Sequence, residues 1–345
     1  MCKNQTFWTT KVEYNMKIAF IFSAAIMTPT NGIKSQAFTW KRMLETHGHQ
    51  VDMINQWDGN EWQSYDAICF FLFNQPMLEF VKVLSKTNPN IFIAPIIDPH
   101  YSVLRLKLMS HWGSYKLKLT NEYYALRQCE EYVKGFLVRS EYEKLYVNEG
   151  LGIPEAKIFK IPLSYGKEPK EEIDLLHKED FCLHVSLLAD PRKNVKRLVD
   201  AAAKYGFRLK LAGRLRNDKE KSLIHSWIDG LDNVEYLGQL SDDELESVYS
   251  RAKVFALPST FEGVGLVALE AARRGCEIVL TNHGGPKEYY NGMAYLVNAN
   301  DVNEIGISVK KALCSGNSYQ PMLLNHIRDL YSEEKCVELL INSLS

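Results

Sequence analysis

Glu262 and Glu270 stand eight residues apart in LPSTFEGVGLVALEAARRG (257–275), with Gly263 and Gly265 beside the first of them. The stretch begins as a strand and ends as a helix, so Glu262 to Gly265 fall at a strand's carboxyl end, where open α/β sheets take ligands. The two glycines remove side chains there. An anion can then approach the free amides of Val264, Gly265 and Leu266 at the helix start, and a diphosphate fits that geometry. Eight residues are about two helical turns, so the two carboxylates address different parts of one extended ligand. Beside a phosphate site an acid takes sugar or ribose hydroxyls, because like charges repel. Glu270 also lies in an apolar run, LVALEAA, where an unpartnered charge is costly, and a ligand is expected to satisfy it. A second anion element is DPRKN (190–194), where Arg192 and Lys193 precede a helix. Each charge-assisted hydrogen bond there contributes ~1.5–3 kcal/mol. Asn31 and Gly32, after the first strand, would face the same cleft from the other half of the chain.

The elements that must position these residues alternate. IAFIFSA, QVDMINQW, YDAICFFLF, NIFIAPIID, FLVRS and IFKIP read as buried strands with helices between them, and IAFIFSA reads as a first strand rather than a secretory leader. After a charge-dense linker, GKEPKEEIDLLHKED (166–180), a second alternation follows: CLHVSLL, FRLKLAG, VEYLG, VFALP, EIVLT and AYLV. In NVKRLVDAAAKY the apolar positions recur at helical spacing, with Asn194 expected as N-cap. Ser241 and Glu244 have capping-box spacing. The expected architecture is α/β, two Rossmann-like doubly wound domains facing a cleft: a loose extension over 1–15, domains over 16–168 and 169–320, and a helical tail over 321–345.

The length of 345 residues suits two domains, at ~150 residues each. Lys plus Arg, 41, almost cancels Asp plus Glu, 42, so no global field would hold a nucleic acid, and any anion is bound locally. Seven cysteines, scattered and never in C-x-x-C pairs, read as reduced thiols of a cytosolic protein. The nine histidines form no H-x-x-x-H or H-E-x-x-H spacing, so no metal site is expected. No run reaches the ~18 apolar residues of a membrane span.

The second half resembles glycosyltransferase family 4, retaining enzymes of the GT-B fold that clamp a nucleotide sugar between two Rossmann-like domains. The resemblance rests on PSTFEGVGLVALEAARRG, matching the family's Glu, seven residues, Glu signature, on NVEYLGQLSDDELESVYSRAKVFALPS before it, and on RKNVKRLVDAA. MKIAFIF, the NG loop and HGHQVDMI are the matching pieces of the first half. It implies that Glu262 contacts the donor sugar and Glu270 the ribose, while the amides of Val264, Gly265 and Leu266 hold the distal phosphate with Lys193. Gly213 and the Gly238 to Leu240 turn would flank the base, and Asn31 and Gly32 would lie near the phosphates. Leu187 stands where the family has an arginine, so Arg192 or Arg214 would supply the second positive charge. The family's N-domain histidine has a counterpart two or three residues late, at His100.

The resemblance implies transfer from a nucleotide-diphosphate sugar to a glycan or lipid-linked acceptor without cofactor or metal, in surface polysaccharide or glycolipid synthesis. A nucleotide-sugar 2-epimerase and a catalytically silent nucleotide-sugar-binding subunit share the same clamp and stay open. Residues 101–120, with four basic side chains, no acid and several aromatics, suit peripheral contact with the inner membrane face or a helix packed on its own sheet. The expected location is the cytoplasm.

Overall fold

A computed structural model describes residues 15–22, 32–54, 59–71, 75–98, 101–112, 121–316 and 318–345. Asn31 and His100 lie outside the described residues.

Among the described residues, twelve strands form two parallel sheets of six. The first contains β1 (Lys17–Phe22), β2 (Gln50–Met53), β3 (Ala67–Phe71), β4 (Ile91–Ala94), β5 (Gly135–Val138) and β6 (Ile158–Lys160), in the order β2-β1-β3-β4-β5-β6. The second contains β7 (Glu179–Val185), β8 (Leu209–Ala212), β9 (Val234–Gly238), β10 (Ala252–Leu257), β11 (Glu277–Thr281) and β12 (Tyr295–Val297), in the order β12-β11-β10-β7-β8-β9. Helices cover both faces of each sheet, which is why AICFF, IFIA and EIVLT are buried from end to end and carry no polar alternation. Five cysteines, Cys69, Cys129, Cys182, Cys276 and Cys336, are free and buried in these cores, while Cys314 is free and exposed.

The order of the second sheet reverses between β7 and β10, so the loops that leave these two neighbours diverge and open a crevice at their carboxyl ends. DPRKN leaves β7 and PSTFEGVG leaves β10. Sequence positions some 70 residues apart are thereby made adjacent by strand pairing alone, as in the Lys193–Glu262 pair with its separation of 69.

One of two local expectations is refined, and the other is met in full. Asn194 does stand before the Val195–Tyr205 helix, but in a left-handed conformation and without a side-chain cap bond. Its amide instead donates to the carbonyls of Pro258 (2.9 Å) and Ala299 (2.6 Å), so the residue ties the β7 loop to the β10 loop. Ser241 and Glu244 form the full capping box.

The C-terminal tail is shared between the cores. Leu323 and Ile327, on the helix Met322–Tyr331, pack with the second sheet, whereas Cys336, Val337, Leu340 and Leu344, on the helix Glu333–Leu344, complete the core beside Trp40 and Met43 of the first. Arg42 and Glu333 form an ion pair at that crossing. Among the described residues no helix is long and apolar enough to cross a membrane.

Candidate active site

The β10 loop ends in Gly265, left-handed at φ 74°, and the helix Leu266–Arg273 starts directly after it. Among the described residues none accepts a hydrogen bond from the amides of Val264, Gly265 or Leu266. Three unsatisfied donors at a helix N-terminus form an anion cradle, reinforced by the helix dipole. Glycine is required around it for steric reasons. A Cβ on Gly263 would overlap the carboxylate of Asp98, and one on Gly284 would overlap the carbonyl of Glu262. One on Gly285 would lie 2.6 Å from the Gly263 carbonyl and 2.9 Å from Ser140 Oγ.

Lys193 reaches Glu262, in the loop that leads to the cradle, from the β7 loop. It closes a single turn of 3-10 helix, Pro191–Lys193, whose N-cap is Asp190. Its ammonium lies 2.6 Å from Glu262 Oε2, with both side chains less than a fifth exposed, at 17% and 15%. Ser259 Oγ donates to the same oxygen at 3.1 Å. The Thr260 amide donates to the Arg192 carbonyl at 2.8 Å, which ties the two loops together. Arg192 spends its guanidinium on its own loop, while Glu262 and Asp98 still act on its charge through space. It is half exposed and forks onto Asp190, whose carboxyl is held below its usual range by the bonds from Arg192 although burial opposes this. Arg214 is half-buried and forms no ion pair with a described residue, which leaves its charge available near the ends of β8 and β9.

Those ends converge closely. Gly213 donates to the Gly238 carbonyl at 2.8 Å, and a Cβ on Gly213 would overlap the carbonyl of Ser186 at the end of β7. Gly238 has φ 83°, and Leu240 packs onto the core of the second sheet. Behind them His184 is fully buried between the Ala256 carbonyl (2.8 Å) and Ser186 Oγ (2.7 Å), and burial lowers its pKa to about 4. It is neutral and serves the frame.

Glu270 is not without a partner. Tyr249 donates its hydroxyl to Glu270 Oε2 at 3.2 Å. Burial nevertheless raises the Glu270 pKa to about 7, against the opposing effects of Arg274 and Tyr249. Gly32, from the first half, is exposed as the first residue of the helix Gly32–Thr46.

The opposite wall was not legible as a site. Asp98 follows β4, Arg139 and Ser140 follow β5, and Glu143 lies in the short helix Glu141–Leu145. Arg139 pairs with Asp98 (2.7 Å) and with Glu143 (2.8 Å); burial works against its charge, and the two acids more than offset this, holding its pKa above the usual value. Glu288 crosses from the second domain to accept the amides of Glu141 (2.9 and 3.0 Å) and Tyr142 (3.3 Å), and Tyr289 donates to the Arg139 carbonyl at 2.6 Å. Two signals pointed this way in the sequence: the Gly284–Gly285 pair after β11 and the Ser140-x-x-Glu143 spacing after β5. Among the described residues no group of three or more His, Cys, Asp or Glu side chains is placed to hold a metal ion.

The decisive comparison is with solved structures. Over 95% of this chain and 98% of the other, the fold superposes on sucrose-phosphate synthase from Thermosynechococcus elongatus with a TM-score of 0.68 and 17% identity. The fold is GT-B. A second superposition, on Anabaena HepE in complex with UDP, gives a TM-score of 0.70 and 16% identity over 95% of this chain and 99% of the other. Residues 167–323 match the family described as glycosyl transferases group 1. Among curated proteins the chain is 24% identical over 210 residues to O-antigen chain mannosyltransferase B of Escherichia coli, covering 55% of this chain and 54% of that one. The chain spans about half the length, or less, of the curated relatives it matches.

Proposed function

We propose that this chain is a retaining glycosyltransferase of family 4 that moves a sugar from a nucleotide-diphosphate sugar to a hydroxyl acceptor, in surface polysaccharide or glycolipid synthesis. One observation carries the reading: three amides at residues 264–266, without an acceptor among the described residues, follow directly on Glu262, a carboxylate on which the cation of Lys193 is already poised. An anion with an attached polyol uses all three groups at once. As the diphosphate enters, Lys193 turns its charge to the phosphate, and Glu262 is released to accept sugar hydroxyls. Glu270 takes the ribose, the strand ends at Gly213 and Gly238 to Leu240 take the base, and Arg214 supplies the second positive charge in place of Leu187.

The chemistry is front-face displacement. The bond from sugar to diphosphate stretches into an oxocarbenium-like state, and the departing phosphate oxygen takes the proton of the acceptor hydroxyl. Lys193 and the dipole at 264–266 stabilise the negative charge that develops on the leaving group, so catalysis is mainly electrostatic. No cofactor or metal is assigned a role.

The acceptor side lies on the first domain. The helix Val103–His111 buries Leu106 and exposes Leu104, Leu108 and the following Trp112, with basic Arg105 and Lys107 also exposed. That face suits an anionic membrane surface carrying a lipid-linked acceptor, and the protein is assigned to the cytoplasm and the inner membrane face. Flotation with vesicles containing anionic lipid, but not with neutral ones, is the expected result.

The central test is a thermal-shift series with UDP, GDP and ADP. One of them at 100 times its Kd should add about 2.7 kcal/mol of stability. No shift with any of the three sinks the reading. Acceptor-independent release of free, epimerised sugar would move it to the 2-epimerase instead.

A further inference from the structure

The first-domain wall of the cleft carries a charge that the proposed reaction leaves unused. Glu143, 1% exposed, spends Oε1 on the Ile97 amide (2.7 Å) and Oε2 on the amide and Nε of Arg139 (both 2.8 Å). Arg139 Nη2 then donates to Asp98 Oδ1 at 2.7 Å and to the Ile97 carbonyl at 3.4 Å. One cation between two carboxylates leaves the trio with a surplus negative charge, which Arg192, itself bonded to Asp190, meets only through space from the β7 loop. Glu143 is sealed, so the surplus emerges at Asp98, whose side chain is 34% exposed. Among the described residues nothing donates to Asp98 Oδ2.

Asp98 is delivered by a strained backbone. Ile96, two residues earlier, has φ 52°, a left-handed conformation that a β-branched residue adopts only at a cost. The carboxylate that results rests against the backbone of Gly263, between Glu262 and the amide cradle, with no room for even a methyl group between them. A fixed anion in that place repels phosphate and attracts hydroxyl donors.

Building on the transferase reading, we propose that Asp98 contacts the transferred sugar, its free oxygen accepting a hydrogen bond from one hydroxyl while Glu262 accepts another from the opposite wall. Arg139 and Glu143 are positioning residues that aim it. A carboxylate so placed also stabilises the positive charge that develops on the sugar ring as the leaving group departs.

The test compares Asp98→Asn with wild type in two measurements, binding of UDP or GDP and turnover of UDP-glucose, UDP-galactose and GDP-mannose without acceptor. Asparagine keeps the bond from Arg139 through its amide oxygen, so the fold and its melting temperature are preserved. Expected are unchanged or tighter binding of the nucleoside diphosphate and a loss of about 10²-fold in donor turnover. Where turnover is too slow to read, the added affinity of the nucleotide sugar over the nucleoside diphosphate disappears in the variant. Wild-type turnover and affinities in Asp98→Asn overturn the proposal, and so does a parallel loss of nucleoside-diphosphate binding, which marks a structural role. A wild-type protein that binds no nucleoside diphosphate fails the transferase reading itself and this proposal with it, and that outcome is separable because it precedes any variant.

Discussion

The two walls of the cleft are built from different materials. The second-domain wall is mostly backbone: free amides at 264–266 and glycines at 213, 238, 263 and 265 that clear the space in front of them. The first-domain wall is side chain, a Glu143–Arg139–Asp98 chain in which Arg139 and Asp98 are linked across 41 residues of sequence. A backbone site is fixed by the strand-to-helix turn that makes it, and its residues are neighbours in sequence. A side-chain site depends on two strand ends meeting. The difference predicts that the second-domain wall binds whatever is common to all donors, the diphosphate, while the first-domain wall discriminates among sugars.

The sharpest break comes at Gly213. Alanine there sets a Cβ against the Ser186 carbonyl and, at φ 154°, in a conformation that favours glycine. The expected loss is about 2–4 kcal/mol of stability, together with the nucleotide-induced thermal shift. The control is Gly59→Ala, where the added methyl meets open space and both stability and the shift should stay as in wild type. Equal damage from the two substitutions, read by chemical denaturation, removes the claim that the second wall depends on glycine.

Next is Lys193→Ala, expected to lower kcat by about 10²-fold or more by removing the cation beside the leaving group. Its complement sharpens the comparison. Glu262→Gln releases Lys193 from its 2.6 Å partner, so nucleoside diphosphates should bind more tightly even as sugar turnover falls. Isothermal titration with UDP and GDP, set beside donor hydrolysis, reads both signs.

This contrast also explains what the sequence disclosed. The alternation of buried strands and helices was legible because parallel strands covered on both faces leave continuous apolar runs, and the second wall because PSTFEGVG and DPRKN each sit on one loop. Asp98, Arg139 and Glu143 were not, because an acid after a strand and an arginine after the next one become a site only when β4 pairs with β5. Asn194 stands at the N-cap position as expected, but the use of its side chain was not legible, since it bonds to carbonyls of Pro258 and Ala299 that no local pattern announces.

Glu288 joins the walls. Its carboxylate is taken out of water to accept amides of the other domain, and burial accordingly raises its pKa. Glu288→Gln keeps the shape and one acceptor but loses the charge assistance, which should cost about 1–2 kcal/mol of domain closure and roughly tenfold in kcat/KM. Nucleoside-diphosphate affinity, a property of the second wall alone, should hardly change. A change in affinity as large as that in kcat/KM would show that the two walls are not separable.

The mildest effect is a pH dependence, and it belongs to the second wall. Burial lifts Glu270 to about 7 in the folded protein, above the ordinary 4.5 of the unfolded chain. Between these values the folded state binds more protons than the unfolded one, so Glu270 lowers stability as pH rises through that window and has no further effect above it. A ribose hydroxyl that donates to Glu270 favours the ionised form and reverses this: nucleotide binding should strengthen with rising pH, by up to about tenfold per unit below 7, and level off above. The nucleotide's own phosphate titrates in the same range, so the informative quantity is the difference between wild type and Glu270→Gln. Titrations at pH 6 and 8 measure it. Equal slopes in the two proteins would mean that the ribose does not reach Glu270, and that Tyr249 is its whole hydrogen-bonding environment.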